Sequence, residues 1–135
     1  MDELYARSVF FVEDADRARR FYRDELGFAV DWDVEDVFQV GWFGFELILN
    51  QVCNQTRGRA GHGRVYIGLE DDQIEPLCRH IVEKGIRFER QQWGRATLVI
   101  TDPDGNELFF WLSAQDDWSG FGLPAPAAIR PQDCD

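Results

Sequence analysis

Apolar residues along this chain come in short runs divided by turn-forming polar residues, and two periods alternate. Residues 8-SVFFVED-14 form a strand-length apolar run that ends in acidic residues, with Asp14 or Asp16 placed to cap a helix. In the following ADRARRFYRDEL, residues Ala18, Phe21, Tyr22, Glu25 and Leu26 recur at helical spacing, and Gly27 supplies the stop. Three strand-length runs come next, at 28–34, 37–43 and 45–50, divided by acidic or glycine turns.

After a polar, glycine-containing linker at 51–63 the order recurs. Residues 64–71 predict a strand and turn. A helix over 72–85 carries Ile74, Leu77, Cys78, Ile81 and Val82 on one face, with Pro76 in about its first turn and Gly85 at its end. Strands are expected at 86–91, 96–102 and 106–112. The halves are an internal repeat offset by about 57 residues. Val9 to Val12 with Glu13-Asp14 answers Val65 to Leu69 with Glu70-Asp71, and Gly44-x-Glu46-Leu47 answers Gly105-x-Glu107-Leu108.

The expected fold is therefore α+β: two tandem βαβββ modules with curved mixed sheets, module one about 5–50 and module two 64–113, in one domain over 1–114, followed by an irregular tail at 115–135. One helix per module covers only one face of its sheet. Pairing the two uncovered faces leaves a cavity in which a ligand would sit.

Composition narrows the function classes. An apolar content of 44 %, 14 % aromatic, in runs this short fits neither disorder nor a membrane span. A net charge of −11 argues against nucleic acid as a partner and attracts cationic small molecules. The three cysteines, Cys53, Cys78 and Cys134, are widely spaced without a CxxC pair, which predicts inert thiols in a reducing cytoplasm. Acidic Asp2 and Glu3 lead straight into a strand pattern, unlike a signal peptide. No strand-turn-helix elbow surrounds Ser8, Ser113 or Ser119, and RGRAGHG lacks the Lys-Ser/Thr of a phosphate loop.

Two phrases, 21-FYRDELGF-28 closing the first helix and 102-DPDGNEL-108 before the last strand, sit at their proper places in the duplicated unit. Together with the repeat they resemble the vicinal oxygen chelate superfamily, which includes glyoxalase I, extradiol dioxygenases, fosfomycin-resistance enzymes and bleomycin-resistance proteins. The resemblance covers residues 5–113 and implies the glyoxalase/bleomycin-resistance fold. It also implies where metal ligands would stand, and those positions here are Arg7, Arg64 and Phe109. A guanidinium has no lone pair to give and a phenyl ring no donor atom, so the resemblance implies a lost metal triad and no cofactor. Glu46 matches a fourth ligand position, and His62, two residues before Arg64, shares its face. Those two define the alternative, a lyase, isomerase or dioxygenase with an atypical metal site. His80 is expected as an exposed helix residue.

Strand alternation sets Phe109 and Trp111 opposite Leu108, Phe110 and Leu112. The same face receives Arg7, Val9 and Phe11 from the first strand, Arg64 and Tyr66 from the fifth, and Glu46 and Ile48 from the fourth. Phe38 and Trp42, with Trp93 from the loop QQWGR, close the ends. Aromatics with a few charges suit a flat or cationic organic molecule held by stacking and cation–π contact. Residues 91-QQWGRATLVITDPDGNELFF-110 resemble the WGR-to-DPxGN segment of bleomycin-resistance proteins, which implies a cytoplasmic, metal-free homodimer that sequesters a small aromatic or cationic antibiotic, with neither nucleic acid nor membrane as partner. The tail departs from that pattern.

Overall fold

A computed structural model describes residues 4, 6–112 and 117–130, without the side chain of Trp93. The chain divides into two compact units, Met1–Arg64 with Asp102–Asn106, and Val65–Thr101 with Glu107–Asp135.

In the first unit, β1 (Ser8–Val12) is followed by α1 (Ala15–Arg19). Asp14 caps that helix, its carboxylate accepting the backbone N–H groups of Asp16 at 2.9 Å and Arg17 at 3.3 Å. The helix runs into a π-helical stretch, Arg20–Glu25, and Gly27 ends it at φ 77°. Ala15, Ala18, Tyr22 and Leu26 form its buried face. Strands β2 (Ala29–Val34), β3 (Val37–Trp42) and β4 (Phe45–Gln51) complete a sheet ordered β1-β4-β3-β2, in which β1 and β4 are parallel. Phe10, Leu49 and Phe38 lie in one register row, all buried, with the Arg19 guanidinium 5.0 Å from the Phe38 ring. This is the face that α1 covers. Arg19 also donates to Asp33 at 3.0 and 2.8 Å, which ties α1 to β2.

The second unit repeats the motif. It contains β5 (Arg64–Ile67, from Val65 on), α2 (Asp71–Lys84), β6 (Glu89–Trp93), β7 (Arg95–Thr101) and β8 (Glu107–Trp111), in the order β5-β8-β7-β6. In α2 the buried face is Ile74, Leu77, Cys78 and Ile81, while Val82 is exposed rather than buried. Pro76 stands in the second turn, because the helix starts at Asp71. Strand β6 begins three residues later than its apolar pattern predicts: the Ile86 N–H is taken by the helix-ending bond to the Ile81 carbonyl. The tail is not irregular throughout. Ala127 N–H donates to the Phe88 carbonyl at 2.8 Å, and a short β9 (Ile129–Arg130) pairs in parallel with β6. No helix among the described residues is long and apolar enough to cross a membrane.

The DPDGN turn belongs to the first unit and explains its own sequence. One oxygen of the buried Asp102 carboxylate accepts the N–H groups of Asp104, Gly105 and Asn106 at 2.9, 2.9 and 2.8 Å. The other accepts the Tyr22 hydroxyl at 2.8 Å and the Asn106 amide at 2.9 Å. Asn106, itself buried, donates to the Phe11 carbonyl and accepts from Gly63 N–H at 2.8 Å. The linker must approach this turn closely: a Cβ on Gly61 would lie 2.0 Å from the Asp104 carbonyl oxygen. Both phrases that carry the family resemblance thus meet at one buried hydrogen-bond network.

Burial, and then the Asp102 carboxylate, push the Tyr22 phenol well above its ordinary value. Above pH about 10 the unfolded chain loses this proton while the folded one keeps it, so this contribution is complete below that pH and is lost as pH rises. Urea midpoints are expected to fall on going from pH 9 to pH 11, with a smaller fall in Tyr22→Phe. Equal falls in both proteins would remove Tyr22 as the source.

Candidate functional site

The first sheet has one covered face and one open face, and the register defines the open one. Val9, Ile48, Gln39 and Trp32 form one cross-strand row, and Phe11, Asn50, Val37 and Val34 form the next. Val9, Trp32 and Val34 are exposed at 47, 39 and 61 %, so this apolar surface faces outward in the isolated chain. At its end the Arg7 guanidinium is ion-paired with Glu46. Arg59, from the linker, lies 5.7 Å from the Phe11 ring.

A β-bulge changes the chemistry of this face. The pairing of β2 with β3 shifts between Val30 and Trp32, leaving Asp31 as the extra residue. Its carboxylate is turned over Gly41, where a Cβ would come within 2.9 Å of Oδ2, and that same oxygen accepts from Gln39 Nε2 at 3.0 Å. Gln39 is 4 % exposed, and its Oε1 has no hydrogen-bond partner. Asp31, Trp32, Gln39 and Arg59 were not marked by the sequence patterns. Simple alternation sets Val30, Trp32 and Val34 on a single face, and only the bulge sends Trp32 and Val34 to the open side.

The sequence-predicted residues separate into groups. Arg7, Phe11 and Glu46 do share the open face of the first sheet. Tyr66 and Trp111 meet in the second unit edge to face, with centroids 5.1 Å apart at 69°. Arg64 is exposed at the start of β5. Phe38 and Trp42 do not close a cavity end: the register puts both on the helix-covered face, where Phe38 is fully buried and Trp42 stacks on Phe28 at 4.9 Å. Phe109 offers no surface either. In β7 and β8 both faces are buried, and Phe109 and its register partner Val99 have no exposure. The Trp93 side chain lies outside the described residues, as do Cys134 and Ser113.

The donor set does not suit a metal ion. Arg7, Arg64 and Phe109 have no electron pair for one. Glu46 is engaged by Arg7, and His62 is an exposed linker residue. Among the described residues no three His, Cys, Asp or Glu side chains come together. The thiols differ from each other: burial raises Cys78 to about 11, whereas the Thr56 hydroxyl lowers that of the exposed Cys53. Cys53 is therefore the less inert of the two.

Comparison with the curated proteins finds no match. Among solved structures, a bleomycin-binding protein complexed with bleomycin is similar, at 20 % identity over 80 % of this chain and 97 % of that one, with a TM-score of 0.60. A glyoxalase/bleomycin resistance protein/dioxygenase from Alicyclobacillus acidocaldarius gives 23 %, 78 % and 87 %, with a TM-score of 0.59. A lactoylglutathione lyase from Agrobacterium tumefaciens gives 18 %, 81 % and 92 %, with 0.57. At these identities the likeness is one of fold, and it spans both binding proteins and an enzyme. A family model matches residues 5–110, and the chain belongs to the Glyoxalase/Bleomycin resistance protein/Dioxygenase superfamily.

Proposed function

We propose that the protein is a metal-free binder of a flat or cationic organic molecule, acting as a homodimer in the cytoplasm and sequestering its ligand as a bleomycin-resistance protein would. One observation carries this reading: the positions at which the family resemblance expects metal donors hold Arg7, Arg64 and Phe109, and the remaining carboxylate, Glu46, is paired with Arg7. What stands in place of metal chemistry is a surface of exposed Val9 and Trp32 with half-buried Ile48 and Phe11, edged by charges of both signs. Such a surface binds by stacking and desolvation, and its charges orient the ligand. The fold shared with a protein whose structure holds bleomycin supports that compound as the first ligand to try.

The test is a titration with metal-free bleomycin, followed by tryptophan fluorescence and calorimetry, on protein whose metal content has been measured after incubation with zinc, manganese, nickel and iron and then desalting. Saturable binding by protein that retains no metal is expected. Near-stoichiometric retained metal would overturn the reading and turn attention to Glu46 and His62. Absence of any heat or quenching would remove bleomycin as the ligand.

A further inference from the structure

We infer that Asp31, set by the β-bulge and fixed by Gln39 above Gly41, is the anchor for a cationic nitrogen that carries N–H donors, an amidinium or ammonium group on an aromatic body. This rests on the binding reading above and names the chemical class that the open face would take.

Three independent features converge. The bulge lifts one carboxylate out of the strand alternation onto the open face, beside the apolar Trp32. Glycine at position 41 leaves that carboxylate its place, since a methyl group there would meet Oδ2 at 2.9 Å and Oδ1 at 3.2 Å. The Gln39 amide donates one N–H to Oδ2, and its own oxygen is buried without a partner. A buried acceptor left unpaired is costly, and a donor supplied by a ligand would relieve that cost. Carboxylate and amide oxygen together offer only acceptors, so the complementary group is a donor with positive charge. Trp32, the register partner of Gln39, adds an exposed indole for the aromatic body. Arg7 and Glu46 largely cancel each other at one end of the face and Arg59 lies over Phe11, so Asp31 is the carboxylate of this face that no arginine engages in the hydrogen bonds described.

Benzamidine and its neutral isostere benzamide distinguish charge recognition from stacking. Amide chemical shifts of 15N-labelled protein are expected to move at Gly41, at the Gln39 side chain and at the Trp32 indole on adding benzamidine, and benzamide should bind at least tenfold more weakly. Asp31→Asn should weaken benzamidine at least tenfold while leaving benzamide unchanged. Gly41→Ala, which displaces the carboxylate, should act in the same direction. Asp31 is exposed, so its variant is expected to fold, and its amide spectrum would show this directly. Equal binding of the two compounds, unchanged affinity in Asp31→Asn, or shifts confined to other residues would overturn the inference. The two readings fail separately. Bleomycin binding that Asp31→Asn does not alter removes the anchor and keeps the binding protein. Benzamidine binding at Gly41 without bleomycin binding keeps the anchor and removes the drug. Binding of neither removes both.

Discussion

Asp102→Ala is expected to lower folding stability by on the order of 4 kcal/mol, a large part of the roughly 5–15 kcal/mol available to a domain of this kind. The substitution removes one acceptor from five donors at once: three backbone N–H groups, the Tyr22 hydroxyl and the Asn106 amide. Tyr22 and Asn106 have no exposure, so water cannot take the place of the carboxylate there. The neighbouring Arg17–Asp104 ion pair, at 2.7 Å, depends on the same turn keeping its shape. Tyr22→Phe gives up a single hydroxyl from this network and should cost about 1–2 kcal/mol. Urea unfolding of the three proteins measures both quantities. A loss below about 1 kcal/mol for Asp102→Ala would mean that the turn refolds around other partners, and the network would lose its assigned role.

That network also shows why the family was legible in the sequence while the site was not. FYRDELGF and DPDGNEL could be recognised because each phrase is fixed by local geometry, a helix stop at Gly27 and an Asp-capped turn ending at Gly105. Their association follows from one hydrogen bond, Tyr22 to Asp102, which no local pattern records. Element order was likewise legible, since apolar spacing and glycine stops are properties of neighbouring residues. The ends of elements were less so. The beginning of β6 was displaced because Ile86, apolar and strand-like, serves the end of α2. The pairing of β9 with β6 could not be seen in a segment rich in proline and glycine, because two residues are too few to show a period.

The make-up of the first sheet's open face was hard to read in the sequence for a different reason. Alternation assigns faces correctly only while the register holds. On β1 and β4 it does, and Phe11 and Glu46 lie opposite the buried Phe10, Val12, Leu47 and Leu49. On β2 the bulge at Asp31 reverses the faces for the rest of the strand, which hid both Trp32 and the carboxylate that precedes it. On β3 the apolar run VFQVGWF has aromatics at positions 38 and 42, and these pack beneath the sheet with the helix, while the buried polar Gln39 and the small Gly41 lie on the opposite face. Aromatic residues drew attention because they bind ligands well, yet they also make good core.

Phe109→Glu is expected to unfold the protein, or to lower its stability by more than about 4 kcal/mol, and not to restore a metal ligand. Position 109 is where the family resemblance expects a ligating carboxylate, so the substitution resembles a reversion. Its surroundings argue otherwise: Phe109 has no exposure, it sits between fully buried Leu108 and Phe110, and it faces fully buried Val99 across the ladder. A carboxylate there would lose its hydration. Phe109→Ala separates the two effects, because it removes the ring without adding charge and should cost about 3–5 kcal/mol through the void it leaves. Thermal unfolding of both variants, with and without zinc or manganese, gives the result. If Phe109→Glu folds as stably as Phe109→Ala and gains stability in proportion to added metal, the surroundings of position 109 are open to ligands and the core role given to Phe109 falls. If metal leaves its unfolding unchanged, the aromatic side chain has become part of the core on which this sheet depends.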